Sequence, residues 1–372
     1  AVLYGYGVFK TFSFRLKDGS SSTRRALRQQ ARAVNYLWNY CCQVDREAHA
    51  RWKAGVNTRR PTAFELTGLC RGVTRELGIH SDTVDAVCKR FADARRATFP
   101  QTPRFRTAKR NLDWIPFSNF DRPANLTGST LTVLKRGYRL WMSRPIPEGC
   151  RRGTWSFSAD ARGRWYVSIQ VEMPDVEARP IVSEVGIDLG LKTLATLSNG
   201  EKIETPAFYR KAEARLAVLQ RRGQKVRARS LAAKVRNQRK HFLHVASANI
   251  VKRHDRIVIG DVSPSRLAKT RMAKSIHDAS WAALRTMLQY KSIATGATCE
   301  IVSERYTSQV CSSCGCISAS SPKGMGALGI RQWVCSDCGV SHDRDVNAAI
   351  NILKAGAECR PLAEEITRHL AA

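Results

Sequence analysis

The chain has 372 residues, with 62 Lys and Arg against 31 Asp and Glu, a net charge of +31, and 43% hydrophobic residues. That composition supports two or three packed domains and excludes a disordered basic tail. No stretch approaches the roughly 20 apolar residues of a membrane span, and the alternating segment AVLYGYGVFKTFSFRLK is unlike a signal peptide. Membrane-embedded and secreted proteins are therefore set aside, and the one-sided charge points to a polyanion, with nucleic acid the default partner.

Residues 4–16 alternate apolar and polar (Tyr4, Tyr6, Val8, Phe12, Phe14, Leu16) and predict strands. Ser22 or Thr23 is placed to cap a helix over 24–56, where Ala26, Leu27, Ala31, Val34, Leu37, Trp38 and Cys41 recur at helical spacing. Further helix is predicted over 62–77 and 81–98, ended by Phe99-Pro100. Residues 104–178 return to β character in runs such as LTVLKRGYRLWM and RWYVSIQVEM. This order predicts two halves of one barrel-like domain around a helical insertion.

Pro180 opens a new unit. VSEVGIDLGLKTLATLSNGEKIET reads as three strands, with Ser198-Asn199-Gly200 as a hairpin turn. Residues 207–253 are helical and very basic. RIVIGDV is a short apolar strand of the buried, parallel kind. A helix over 275–294 carries Trp281, Leu284, Met287 and Leu288 on one face. TCEIVSERY is a further strand, and SHDRDVNAAINILKAG is a helix expected to end at Gly356.

Among the twelve cysteines, Cys311-Ser-Ser-Cys314 and Cys335-Ser-Asp-Cys338, each followed by glycine, have the two-knuckle spacing of a zinc ribbon. Such a closed four-thiolate site is structural. Cys316 and His342 are near enough to substitute. Cys41, Cys42, Cys70, Cys88, Cys150, Cys299 and Cys359 are scattered as small buried residues usually are.

In so basic a chain, acids within apolar strands stand out. Asp188 sits in VGIDLG, where a carboxylate is costly unless it meets a metal or a partner. Asp345, beside Asp343, opens the last helix, where an N-cap role is the simpler reading. On a β-β-β-α-β-α-β-α order the two acids frame an RNase H-like nuclease. In that fold, carboxylates on the first strand, a later strand and the last helix hold two Mg²⁺ ions for phosphodiester cleavage.

The segments VGIDLGLKTLAT, RIVIGDV, the Trp281 to Tyr290-Lys291 helix, YTSQVCSSCG, WVCSDCG and HDRDVNAAINIL resemble TnpB, the RNA-guided nuclease family of insertion sequences related to compact type V CRISPR effectors. The N-terminal half resembles it more loosely, through AVNYLWNY and TPRFRT. The resemblance implies an α+β multidomain chain. A β-barrel-like wedge domain (1–22 and 104–179) would hold a helical recognition lobe (23–103). An RNase H-like RuvC domain (180–310 and 339–372) would carry a zinc ribbon (311–338). It also implies a guide RNA and double-stranded target DNA as partners, two Mg²⁺ and one Zn²⁺, a monomer within the ribonucleoprotein, and a cytoplasmic, nucleoid-associated place in a bacterium or archaeon.

Carried onto this chain, the first acid is Asp188 and the third Asp345, but Gly260 stands where the family has its second-motif Glu. Asp261 is one residue on, and a one-residue offset turns a strand side chain to the opposite face. Some relatives supply the acid from the neighbouring strand, here Glu300 or Glu304, whereas others bind without cutting. Glu304 lies at the strand's C-terminal end, within reach of the space over Gly260, and Glu300 lies about four residues lower. The expected catalytic and magnesium-binding set is therefore Asp188, Glu304 and Asp345. The alternatives are a nuclease-inactive guided repressor, and an unguided RNase H-fold nuclease or transposition accessory.

Fifteen Lys and Arg fall between Arg210 and Arg256. Arg221, Arg222, Arg227, Arg229, Arg236 and Lys240 are expected to grip a nucleic-acid backbone, which positions it without reading sequence. Arg266, Lys269 and Arg271 are expected to line the substrate approach. Trp38, Tyr40 and Trp52 are read as core packing before base stacking.

Overall fold

The computed structural model describes residues 8–17, 20–56, 59–107, 113–121, 123–190, 193–261, 280–323 and 329–358. The chain divides after Pro174 into two compact units. Among the described residues, no helix is long and apolar enough to cross a membrane.

The first unit begins with β1 (Val8–Leu16), followed by helices α1 (Ser21–Lys53), α2 (Ala63–Leu69), α3 (Val73–Leu77) and α4 (Ser81–Thr98). Strands β2 (Trp114–Phe117), β3 (Ala124–Thr127), β4 (Thr130–Val133), β5 (Arg136–Trp141), β6 (Arg152–Ala159) and β7 (Trp165–Met173) complete it. They form one curled, half-barrel antiparallel sheet in the order β2-β6-β7-β1-β5-β4-β3. β1 lies at its centre, paired with β7 and β5, so a strand from before the helices is enclosed by strands from after them. Phe12, Phe14 and Leu16 alternate inward as the sequence predicts, and they share one core with Leu27, Leu37, Trp38, Val87 and Phe91 of the helices. Ser20 caps α1 through its hydroxyl, and Thr62 with Glu65 forms a capping box on α2. Trp38 is core: it packs edge-on to Phe91 and its indole N–H donates to the Arg104 carbonyl. Trp52 is exposed and stacks on His49.

The second unit runs β8 (Glu184–Leu189), β9 (Thr193–Leu197), β10 (Lys202–Glu204), α5 (Phe208–Arg221), α6 (Lys225–Arg253), β11 (Arg256–Gly260), α7 (Trp281–Ile293), β12 (Thr298–Val302), β13 (Gln332–Val334), β14 (Ser341–Asp343) and α8 (Arg344–Glu358). Its five-stranded sheet has the order β10-β9-β8-β11-β12, antiparallel on the β10 side and parallel across β8, β11 and β12. This is the RNase H-like arrangement. One face packs against α6 and α7 through Leu243, Ile250, Trp281, Leu284 and Leu288. The other face packs against α8 through Val258, Val302 and Ile352.

The Tyr290-Lys291 pair proves to be a helix clamp. Lys291 Nζ donates to the His244 carbonyl (2.6 Å) and the Ser247 hydroxyl (2.8 Å), pinning α7 to α6.

Gly356 does not end its helix, as the sequence reading expects. α8 continues to Glu358, and a Cβ at Gly356 would stand 2.8 Å from Val258 and 3.1 Å from Arg256. At Gly186 on β8 a Cβ would lie 2.0 Å from the Ala349 carbonyl oxygen and 2.8 Å from Leu353. Both glycines let α8 lie directly on the sheet, and a close approach of backbone is the reason glycine is needed there. Gly186→Ala is expected to destabilise the protein by about 3 kcal/mol, since backbone atoms cannot yield as a side chain can. Gly137→Ala, whose Cβ would meet only Thr130 Cγ2 at 3.6 Å, should cost under about 1 kcal/mol. Urea unfolding of the two variants measures the difference.

Candidate functional site

Strand periodicity decides which side chains can meet. On β8, Val185, Ile187 and Leu189 point into the α6–α7 core, so Gly186 and Asp188 face α8. On β11, Ile257 and Ile259 join that same core, and Val258 and Gly260 face α8. Ile259 pairs with Ile187 and Gly260 with Val302, which sets Asp188, Gly260 and Val302 abreast on one face. Glu304 follows Val302 by two residues and keeps that face.

Glu304 occupies the space that a side chain at position 260 would fill. A Cβ built on Gly260 would stand 2.7 Å from Glu304 Oε2 and 3.3 Å from its Cβ. Glu300 is committed elsewhere: its carboxylate receives Arg256 Nε (2.9 Å) and Nη2 (2.8 Å). Arg256 is itself buried and also pairs with Glu184 at 3.4 Å. Exposed Asp261 accepts the Glu304 backbone N–H at 3.3 Å, outside the face that holds Asp188.

At the start of α8, the N-cap role belongs to Asp343. Its Oδ1 accepts the N–H groups of Asp345 (3.0 Å) and Val346 (3.1 Å), and its Oδ2 accepts Lys202 Nζ (2.7 Å). Burial raises the Asp343 pKa, but Lys202 and the two amides outweigh it and hold the carboxyl below its ordinary range. Asp345 is thereby released from capping, and its two oxygens meet Arg331 Nη1 at 3.1 and 3.0 Å.

Half-buried Asp188 feels both other acids. Burial, then the charges of Glu304 and Asp345, push its pKa up to about 7 against the pull of Arg344 and the Leu189 amide. Burial, then Asp261, push Glu304 up to about 7 as well. Acids so raised by enclosure and by one another suit a divalent cation, which removes both penalties and prefers hard oxygen ligands. The three carboxylates do not all stand within 4.8 Å of one another, as the thiols of the cysteine cluster do. Arg331 offsets part of their charge.

The Sγ atoms of Cys311, Cys314, Cys335 and Cys338 all lie within 4.8 Å of one another. Metal–sulfur bonds of about 2.3 Å give a tetrahedron with edges of about 3.8 Å. Cys311 and Cys338 are 3.7 Å apart, and Cys314 and Cys335 3.8 Å, so the cluster fits one metal ion. Gly315 and Gly339, at φ of 79° and 73°, donate N–H bonds back to the Cys311 and Cys335 carbonyls and shape matching knuckles. His342 Nε2 stands 3.0 Å from Cys311 Sγ, beside the cluster, while the Cys316 thiol points to the Cys314 carbonyl.

Sequence reasoning passed over the parts that tie this cluster to the acids. Asn347 and Asn351 are buried on one face of α8. Each donates to the Thr307 carbonyl (3.3 and 2.8 Å) and to the Val310 carbonyl (2.8 and 2.7 Å). Thr307 in turn donates its hydroxyl to the Glu304 carbonyl at 2.9 Å. Asn347 Oδ1 also accepts the Ser312 N–H of the first knuckle at 2.8 Å. Two asparagines four residues apart within an apolar helix were the available signal. Arg331, ahead of β13, carried none.

Arg221, Arg222, Arg227, Arg229, Arg236 and Lys240 are all exposed on α5, α6 and the turn between them. Nine Lys and Arg and no acid lie between Lys225 and Arg253, while Leu243, Ile250 and Val251 anchor the C-terminal half of α6 in the core. Arg266, Lys269 and Arg271 lie outside the described residues.

Comparison with known proteins shows what the chain is similar to. Residues 281–352 match the family model described as "Cas12f1-like, TNB domain", and residues 168–271 match the "Probable transposase" model of OrfB_IS605. A putative RNA-guided DNA endonuclease of Streptomyces pristinaespiralis is 39% identical over 228 residues, 58% of this chain and 55% of that protein. The putative RNA-guided DNA endonuclease InsQ of Escherichia coli is 32% identical over 223 residues, 52% of this chain and 54% of that protein. The chain thus spans about half the length of the curated relatives it matches. Among solved structures, the Cas12f1 chain of a Cas12f1–sgRNA–target DNA complex shares the fold, with a TM-score of 0.62 at 12% identity, over 93% of this chain and 98% of that one. The resemblance to TnpB and compact type V effectors drawn from the motifs is borne out.

A pKa raised from 3.8 to about 7 means that folded Asp188 holds its proton more tightly than the unfolded chain does. Its contribution to stability is present below about pH 4 and is lost as the pH rises through about 7. In metal-free protein, Asp188→Asn is expected to raise stability at pH 8 by on the order of 1 kcal/mol after solvent screening. The gain should shrink at pH 5 and vanish below about pH 4. Thermal melts in chelator across that range measure it.

Proposed function

We propose that this chain is an RNA-guided DNA endonuclease of the TnpB and compact type V kind, cutting DNA with Asp188, Glu304 and Asp345. The observation that carries the reading is the Glu304 carboxylate standing in the space over Gly260, on the face shared with Asp188. The names of the relatives and the shared fold support it.

Asp188, Glu304 and Asp345 would hold two Mg²⁺ ions, which when bound supply activation of the attacking water and stabilisation of the leaving oxygen. Asn347 and Asn351 orient the Glu304 loop. Arg331 pairs with Asp345 and presents a guanidinium to a phosphate at the site. The four-cysteine cluster would take one structural Zn²⁺ and hold the β13–β14 hairpin that delivers α8.

Residues 1–22 and 104–179 would serve as wedge and 23–103 as recognition lobe. Residues 180–310 and 339–372 would serve as RuvC, and 311–338 as zinc ribbon. The guide RNA would select double-stranded DNA by pairing while the protein reads shape and a short flanking motif, the chain acting as a monomer in the ribonucleoprotein. Gly260 favours one other reading: guided binding without cleavage.

With the co-expressed guide RNA and Mg²⁺, the wild-type chain is expected to cut a matched plasmid. Glu304→Gln should slow cleavage by at least about 100-fold, about 3 kcal/mol in the barrier, with guided binding within about twofold. Asp261→Asn should stay within about tenfold of wild type. Equal cutting by Glu304→Gln overturns the assignment, and a wild type that binds but never cuts establishes the binding-only reading.

Nucleic-acid affinity should also fall steeply with salt, because each phosphate contact releases a counterion. Replacing Arg227, Arg229, Arg236 and Lys240 with Gln should flatten the log K against log salt slope by about 2–4. Filter binding at several salt concentrations measures the slope, and an unchanged slope means that these helices face solvent.

A further inference from the structure

The remaining cysteines are not all alike. Cys41 lies in the middle of α1, Cys70 caps the C-terminus of α2, and Cys88 lies in the middle of α4. All three are 0–1% exposed, and their Sγ atoms stand within 4.8 Å of one another. Neighbouring Cys42 shows the ordinary alternative. It is equally buried, but its thiol turns away and donates to the Pro103 carbonyl at 3.4 Å, as a small buried residue with a weak donor does.

We infer that Cys41, Cys70 and Cys88 form a second metal site, a three-thiolate pocket in the helical part of the first unit that takes a soft, closed-shell cation, Cu⁺ before Zn²⁺. Sulfur–metal bonds of about 2.3 Å in a trigonal plane require sulfurs about 4.0 Å apart. The trio is therefore within a few tenths of an ångström per side chain of closing on an ion. No His, Asp, Glu or fourth Cys joins the group among the described residues, and all three side chains are buried. Structural zinc is almost always four-coordinate, whereas thiolate softness selects Cu⁺, which is content with three sulfurs. Binding releases the thiol protons to solvent and joins α1, α2 and α4 at one point, so metal affinity adds to the stability of this helical packing.

The test uses the full chain, kept reduced and stripped of metal, with Cd²⁺ as a probe whose thiolate charge-transfer absorption counts bound sulfurs. Wild type is expected to take two Cd²⁺ per chain. The double variant Cys41→Ala/Cys88→Ala is expected to take one, and so is Cys311→Ala/Cys335→Ala. Zinc-loaded wild type should then bind one Cu⁺ under anaerobic conditions without releasing its zinc, and Cys41→Ala/Cys88→Ala should bind none. Should the double variant fail to fold, Cys70→Ala, at a helix end, provides the same comparison. Saturation of wild type at one Cd²⁺, with absorption unchanged in the Cys41, Cys70 and Cys88 variants, overturns the site. So does Cu⁺ that only displaces zinc one for one.

Discussion

The contact on which the second unit depends is the direct seating of α8 on the parallel sheet. Helices usually rest on sheets through a layer of side chains. Here Gly186 and Gly356 remove that layer at two points, and the Ala349 carbonyl comes down onto β8. The helix is lowered toward the strands, and Asp345 in its first turn is lowered with it. Gly260 lies in the same interface, with Ile352 Cδ1 3.3 Å from where its Cβ would be. A Glu side chain rooted on β11 would have to leave between the helix and the strand. A Glu rooted beyond β12 enters the same space from the side.

That entry is held by hydrogen bonds that begin at the cysteine cluster. The first knuckle fixes Ser312, Asn347 binds it, and Asn347 with Asn351 clamps the turn from Thr307 to Val310 behind Glu304. The second knuckle sits in the β13–β14 hairpin, which passes straight into α8 through the Asp343 cap. One two-knuckle element thus sets both the loop that carries Glu304 and the helix that carries Asp345. Its hairpin also brings up Arg331. Buried amides that bond to several partners at once hold a geometry more tightly than apolar contacts do, which suits a site that gathers like charges.

The acids and the basic helices divide the chemistry of a chain with net charge +31. On α6 the buried positions are mostly Ala, Val, Leu and Ile, and Arg and Lys are the commonest residues among the rest. Such a surface has no apolar reason to be covered and a strong electrostatic one. Asp188, Glu304 and Asp345 instead share one site, where burial first and neighbouring acids second raise the proton affinity of Asp188 and Glu304.

Local signals were enough for much of this. Strand alternation in VFKTFSFRL, the helical spacing of α1 and α4, the paired knuckles and the apolar run RIVIG each depend on neighbours in the chain, so they are legible in a single sequence. The sequence, through its resemblance to TnpB, also showed that Gly260 stands where an acid is expected and that Glu304 lies at the C-terminal end of the neighbouring strand. Tertiary structure alone decided that Glu300 is consumed by Arg256, that Asp343 rather than Asp345 caps the helix, and that Gly356 is a packing residue and not a stop. Each of those turns on which side chain reaches a partner first, across 44 residues for Arg256 and Glu300. Such competition is settled by packing distances, which no local pattern encodes. The convergence of Cys41, Cys70 and Cys88 has the same origin: they sit at no recognisable spacing, and only the folding of three helices together brings their sulfurs within reach of one another.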